Sequence, residues 1–159
     1  MTLTIRDARA DDLATIVSFN LQLAWETEHK RLDPKVLTRG VEFGLVDPGR
    51  LRYWVAEEAG RVVGQTAITR EWSDWRGGWL WWLQSVYVAP DHRGQGVFRA
   101  LYSHVRASAR AEPDVIGLRL YVELENARAQ RTYQALGMTS GGYQVYEELW
   151  PDRFNQTPG

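Results

Sequence analysis

Between residues 86 and 99 the chain reads VYVAPDHRGQGVFR, and this stretch constrains the fold more than any other. A β-branched apolar run stops at Pro90. An arginine and two glycines follow, and then an amphipathic helix begins. Strand, glycine turn and helix start in that order gather several backbone N–H groups around one point. The first N–H groups of a helix lack internal partners and carry the positive end of its dipole. Glycine removes the side chains that would block close approach. Such a corner suits an anion, a phosphate or diphosphate above all.

Gly94 and Gly96 alone also fit an ordinary turn. Two familiar phosphate loops fit poorly. A Walker loop needs Gly-Lys before Ser or Thr, and this stretch has no lysine; a dinucleotide fingerprint wants a third glycine where Arg99 stands. A nucleotide-binding α/β domain is therefore disfavoured.

The 159 residues suit one domain, read as 1–150 with a polar tail over 151–159. Net charge is −1 and no basic block stands out, which argues against nucleic-acid binding. The absence of cysteine removes disulfides, a thiol nucleophile and thiolate metal sites, and agrees with a cytoplasmic location. The first twelve residues lack the apolar core of a signal peptide, and no apolar run approaches the ~18 residues that cross a bilayer. His29, His92 and His104 are scattered, so no metal is expected.

Hydrophobic periodicity predicts strands over 3–6, 51–57, 61–70, 79–88, 115–122 and 143–149. It predicts helices over 12–30, 33–45, 96–110 and 126–136. The order β-α-α-β-β-β-α-β-α-β implies an α/β fold, a mixed sheet with helices on both faces.

A second segment, ENARAQRTYQALGM over 125–138, reads as a capped helix, with Asn126 as N-cap and Gly137 as C-cap. Asn126 and Tyr133 are seven residues apart and share a face. Together the V-x-P-x-x-R-G-x-G and N-x-x-A-x-x-x-Y-x-x-L-G patterns resemble the GCN5-related N-acetyltransferase (GNAT) superfamily. The resemblance runs over most of the chain. It departs at Phe98, where the family usually has Gly or Ala; a phenyl ring there would pack on the core or shape the cofactor slot.

The resemblance implies an acetyl-coenzyme A-dependent N-acetyltransferase with the family fold, its fourth and fifth strands splaying to admit the cofactor. Arg93, Gly94, Gln95, Gly96, Val97, Phe98 and Arg99 would bind the diphosphate of acetyl-CoA. The strand at Val86, Tyr87 and Val88 would pair with the pantetheine arm. Tyr133 matches the general acid, and Asn126 would hold backbone or cofactor polar groups. Some members carry a glutamate base where this chain has Gln84, which is no proton acceptor. Glu26, Glu28, Glu71, Asp74 and Glu123 remain as carboxylates that could act through water, with Glu123 nearest the family's substrate groove.

Two regions speak to the acceptor. One is Trp25, Glu26 and Glu28 at the end of the first long helix. The other is the tryptophan-dense stretch 71–82, which includes Trp82, ahead of Gln84. Acidic groups beside tryptophan suit a cationic amine; the same rings could simply cover the sheet or fill a dimer interface. A small-molecule amine is the expected partner, with no membrane or nucleic acid and with a homodimer as an option. A protein or peptide N-acetyltransferase and a non-catalytic acyl-CoA-binding module are the alternatives.

Overall fold

The computed structural model describes residues 2–154. Its elements are β1 (Leu3–Asp7), α1 (Leu13–Glu28), α2 (Pro34–Val46), β2 (Arg52–Glu58), β3 (Arg61–Ser73), β4 (Gly78–Val88), α3 (Val97–Ala111), β5 (Val115–Leu120) and α4 (Ala127–Ala135). The sheet order is β1-β2-β3-β4-β5. The first four strands form an antiparallel meander. β5 runs parallel to β4, a pairing that needs a long crossover; α3 supplies it.

Alternation along β2 divides the core between the two faces of the sheet. Tyr53 and Val55 pack with Ile16 of α1 and Val41 of α2. Trp54 and Ala56 pack with Trp81 and Leu83 of β4 and with Val97, Leu101 and Val105 of α3. Gly64 permits the close approach of α3 to β3: a Cβ there would lie 2.9 Å from the Val97 side chain.

The helix starts are set by charge and hydrogen bonding. Asp33 accepts the Lys35 N–H at 2.9 Å, and Pro34 occupies the first turn of α2. Ahead of α1, Arg6 donates to both oxygens of Asp12 at 2.9 and 3.0 Å and to Glu57 at 2.6 Å. Burial pushes the Asp12 carboxyl up, but Arg6 and the Arg9 N–H outweigh it and hold the group below its ordinary value. This staple ties β1, β2 and the entry to α1 together.

Two expectations are corrected. No strand forms over 143–149 among the described residues; 139–150 lie outside any helix or strand, and Tyr143, Val145, Tyr146 and Leu149 are exposed. Their alternation meets no partner strand among the described residues. β5 ends at Leu120 rather than 122, because 121–126 turn away toward α4. The tail expected over 151–159 begins with a short 3-10 turn at Pro151–Arg153, and 155–159 lie outside the described residues. Among the described residues, no helix is long and apolar enough to cross a membrane.

Candidate active site

The site begins at an irregularity in β4. The β3–β4 register shifts where Gln65 faces Tyr87 but Ala67 faces Gln84, and Ser85 adopts a left-handed conformation with φ 52°. This is a β-bulge, which inserts a residue and flips the side-chain alternation beyond it. Buried side chains of β3 support it. Gln65 donates through Nε2 to the Ser85 carbonyl at 3.0 Å, and Thr66 donates to the Gln84 carbonyl at 3.4 Å. Beneath it, burial pushes the Tyr53 hydroxyl up to about 12, opposed by the nearby polar groups of Asn20 and Ser85.

Beyond the bulge β4 parts from β5. Their pairing runs from Trp79 with Val115 to Leu83 with Leu120. From Gln84 to Val88 the strand has β3 on one side and an open edge on the other. Backbone groups on such an edge can pair with an extended ligand as an added strand would.

The edge leads to the glycine loop. After Pro90–His92, a 3-10 turn, Gly94 and Gly96 take φ 76° and 82°. Gly96 is the N-cap of α3, and the first amide bonded back within the helix is that of Ala100, to the Gly96 carbonyl at 3.0 Å. The N–H groups of Val97, Phe98 and Arg99 therefore stand at the positive end of a fifteen-residue helix. A Cβ on Gly94 or Gly96 would meet no protein atom within 4 Å, so the space in front of the loop is open. Left-handed glycines, unsatisfied amides and that space fit a diphosphate, and the edge of β4 fits the amide-bearing arm of coenzyme A.

α4 closes one side. Asn126 accepts the Ala129 N–H at 3.0 Å as its cap. Gly137, at φ 95°, ends the helix in a Schellman arrangement, with Met138 N–H bonded to Tyr133 O and Gly137 N–H to Gln134 O, both at 3.0 Å. The Phe98 ring packs edge-on against Tyr133 at 5.9 Å and beside Tyr102 at 6.1 Å. The departure at Phe98 thus joins α3 to the helix that carries Tyr133. Burial pushes the Tyr133 hydroxyl above its ordinary value.

A pocket of about 340 Å³ opens where β4 and β5 part, lined by Thr69, Arg70, Glu71, Trp82, Gln84 and Tyr121. Trp82 and Tyr121 stack at 4.5 Å. Gln84 donates to Thr69 at 2.6 Å, and Glu71 pairs with Arg119 at 2.8 Å.

The fold agrees with known acetyltransferases. A model of the Acetyltransferase (GNAT) family matches residues 11–138. The chain belongs to the GNAT family. A structure described as a possible acetyltransferase from Clostridium difficile 630 superposes with a TM-score of 0.88 at 43% identity, covering 94% of this chain and 99% of that one. A predicted acetyltransferase from Clostridium acetobutylicum, described with acetyl-CoA, shares the fold: TM-score 0.75, 21% identity, 96% and 98% of the two chains. So does a GCN5-related N-acetyltransferase from Ralstonia eutropha JMP134, at 0.74, 18%, 92% and 99%. No match emerges among curated proteins.

Within this GNAT fold the expected acceptor residues divide. Trp82 and Gln84 meet in the pocket. Trp25 instead packs with His29 and under Arg31. Glu28 is exposed beside Lys30, and Glu26 bonds to Arg93 and Tyr87. Glu123 is exposed on the connection after β5, with its carbonyl held by Gln130. The tryptophan-rich stretch serves several purposes: Trp81 is core, Trp72 and Trp79 pair at the hairpin end, and only Trp82 lines the pocket. Thr69, Arg70 and Tyr121 were not singled out by sequence, nor were Gln65 and Thr66. The last two carried a signal, two polar residues inside an apolar strand.

Proposed function

We propose that this protein moves an acetyl group from acetyl-CoA to the primary amine of a small molecule, in the cytoplasm. The observation that carries the reading is the parting of β4 from β5 at Leu83 and Leu120, with the polar, aromatic pocket at its mouth. The pantetheine arm pairs with the edge over 84–88, and the diphosphate sits on 93–99. This places the thioester beside Gln84 and Tyr121, next to the pocket.

The amine nitrogen attacks the thioester carbonyl, and the carbon–sulfur bond breaks. A backbone N–H of the β4 edge polarises the carbonyl oxygen, where charge develops. Tyr133, a phenol protonated at neutral pH and held further that way by burial, gives its proton to the departing thiolate. The cationic amine takes the place of Arg119 beside Glu71 and at the Trp82 ring. Gln84 cannot take the ammonium proton; it leaves through water toward Glu123.

A coupled thiol-release assay over polyamines, amino acids, aminoglycosides and peptides tests this. Turnover of one or more small amines is expected. Turnover of peptides alone would make the protein a peptide acetyltransferase. Acetyl-CoA binding without turnover across the panel would make it an acyl-CoA-binding module.

A further inference from the structure

The cation already at the acceptor pocket is the protein's own. Arg119 of β5 reaches across β4 to Glu71 of β3, Nη1 to Oε1 at 2.8 Å, and its guanidinium lies 5.9 Å from the centre of the Trp82 ring. Register puts it there. Trp82 faces Thr69 on one side and Arg119 on the other, so the strands flanking β4 present Glu71 and Arg119 to the same side of the sheet. Among the described residues, Glu71 is the one carboxylate that lines the pocket, and it is taken up by Arg119. Arg70 lines the pocket too, and its guanidinium lies 5.5 Å from the Trp81 ring rather than against a carboxylate. Two guanidinium groups thus accompany one carboxylate.

An ammonium that arrives alone adds a third cation to that single carboxylate. By taking Glu71 it strips Arg119 of its partner, in a recess where water screens charge less than in bulk. The charged donor left unpaired offsets the new bond. An anionic group on the same molecule removes that penalty by accepting from the freed guanidinium. Carboxylate and phosphate do so best, because the guanidinium fork matches two oxygens. One ion pair is then exchanged for two. We propose, on the acetyl-transfer reading above, that the acceptor is an amine that also carries a carboxylate or phosphate, and that Arg119 is the residue that selects it. The ammonium enters against Glu71 and Trp82, and Arg119 turns from Glu71 to the acceptor's anion. Selection works by difference: plain amines meet a guanidinium that they displace and cannot satisfy.

The test uses ω-amino acids of two to six carbons and the matching aminoalkyl phosphates, each beside the n-alkylamine of the same length. Titration calorimetry reads their binding to the protein saturated with coenzyme A, and thiol release reads their turnover. The better of the two anionic series should bind at least about tenfold tighter than the alkylamines, as a hydrogen bond to a charged group implies, and which series it is identifies the anion. Arg119→Gln should erase the difference and Arg119→Lys should keep part of it. Alkylamines that bind as tightly as both anionic series would overturn the proposal, and this comparison needs only the wild-type protein. So would a preference that survives Arg119→Gln. Selective binding without turnover would keep the acceptor class and overturn acetyl transfer. Turnover confined to plain alkylamines would keep acetyl transfer and overturn the acceptor class.

Discussion

The Arg93 guanidinium reaches across from the glycine loop to Glu26 of α1, Nη2 to Oε2 at 2.8 Å, while its Nε donates to the Val88 carbonyl at 2.9 Å. Tyr87 lies under it, its hydroxyl donating to Gln22 at 2.9 Å with Glu26 a second acceptor within reach at 3.3 Å. In the proposed complex the diphosphate and the pantetheine arm would compete for Arg93 and for Val88. Glu26→Gln should therefore tighten acetyl-CoA binding. The pair is partly exposed, and such pairs are worth about 0–1 kcal/mol, so titration calorimetry should read a gain of roughly two- to fivefold. Weaker binding would mean that Glu26 helps to hold the cofactor.

Tyr133→Phe removes one hydroxyl and leaves the ring on Phe98. A general acid contributes about 10²–10⁴-fold, so kcat should fall by roughly 10²-fold while the Kd for acetyl-CoA stays within about twofold. The acid works protonated, and burial raises its value, so the alkaline fall in kcat should lie above ~10. That limb should vanish in the variant. An unchanged kcat would remove Tyr133 from the chemistry.

Gly96→Val places a β-branched residue at φ 82°, a strain of about 1–3 kcal/mol, and projects two methyl groups into the space before the loop. Binding of acetyl-CoA should weaken more than about tenfold, with a smaller loss in thermal stability. Normal affinity would make the loop a turn and nothing more.

Trp82→Ala opens the pocket beside Tyr121. Loss of a ring face for a cation is worth about 1–2 kcal/mol, so KM for the amine should rise roughly tenfold while acetyl-CoA affinity is kept. An unchanged KM would place the acceptor elsewhere.

Asp12→Asn breaks the staple with Arg6 and leaves a half-buried guanidinium short of a charge partner. Because Arg6 keeps Glu57, the expected cost is at the low end for a broken buried pair, about 3 kcal/mol, read by urea unfolding at neutral pH. The native Asp12 carboxyl is held below its unfolded value of ~3.9. Its contribution is thus present above that pH and fades as pH falls through the lower native value. The gap between wild type and variant should narrow below about pH 4.

The fold was largely legible because local signals and burial agreed. Asp33-Pro34 starts α2, Asn126 and Gly137 bracket α4, and the Gly94–Gly96 loop joins β4 to α3. Three features were not. Ser85 at φ 52° is a conformation that its side chain does not announce; only the support from Gln65 and Thr66 explains it. The pocket joins Thr69, Trp82 and Tyr121 from two strands and a loop, a juxtaposition set by register. The strand pattern over 143–149 was visible in the sequence, but no described strand pairs with it, so periodicity alone misled.

A crystal structure with acetyl-CoA tests the central claim most directly. The account predicts the pantetheine arm along the free edge of β4 over 84–88 and the diphosphate on the amides of Val97 to Arg99. Acetyl-CoA bound elsewhere, with β4 and β5 still parted and nothing between them, would contradict it.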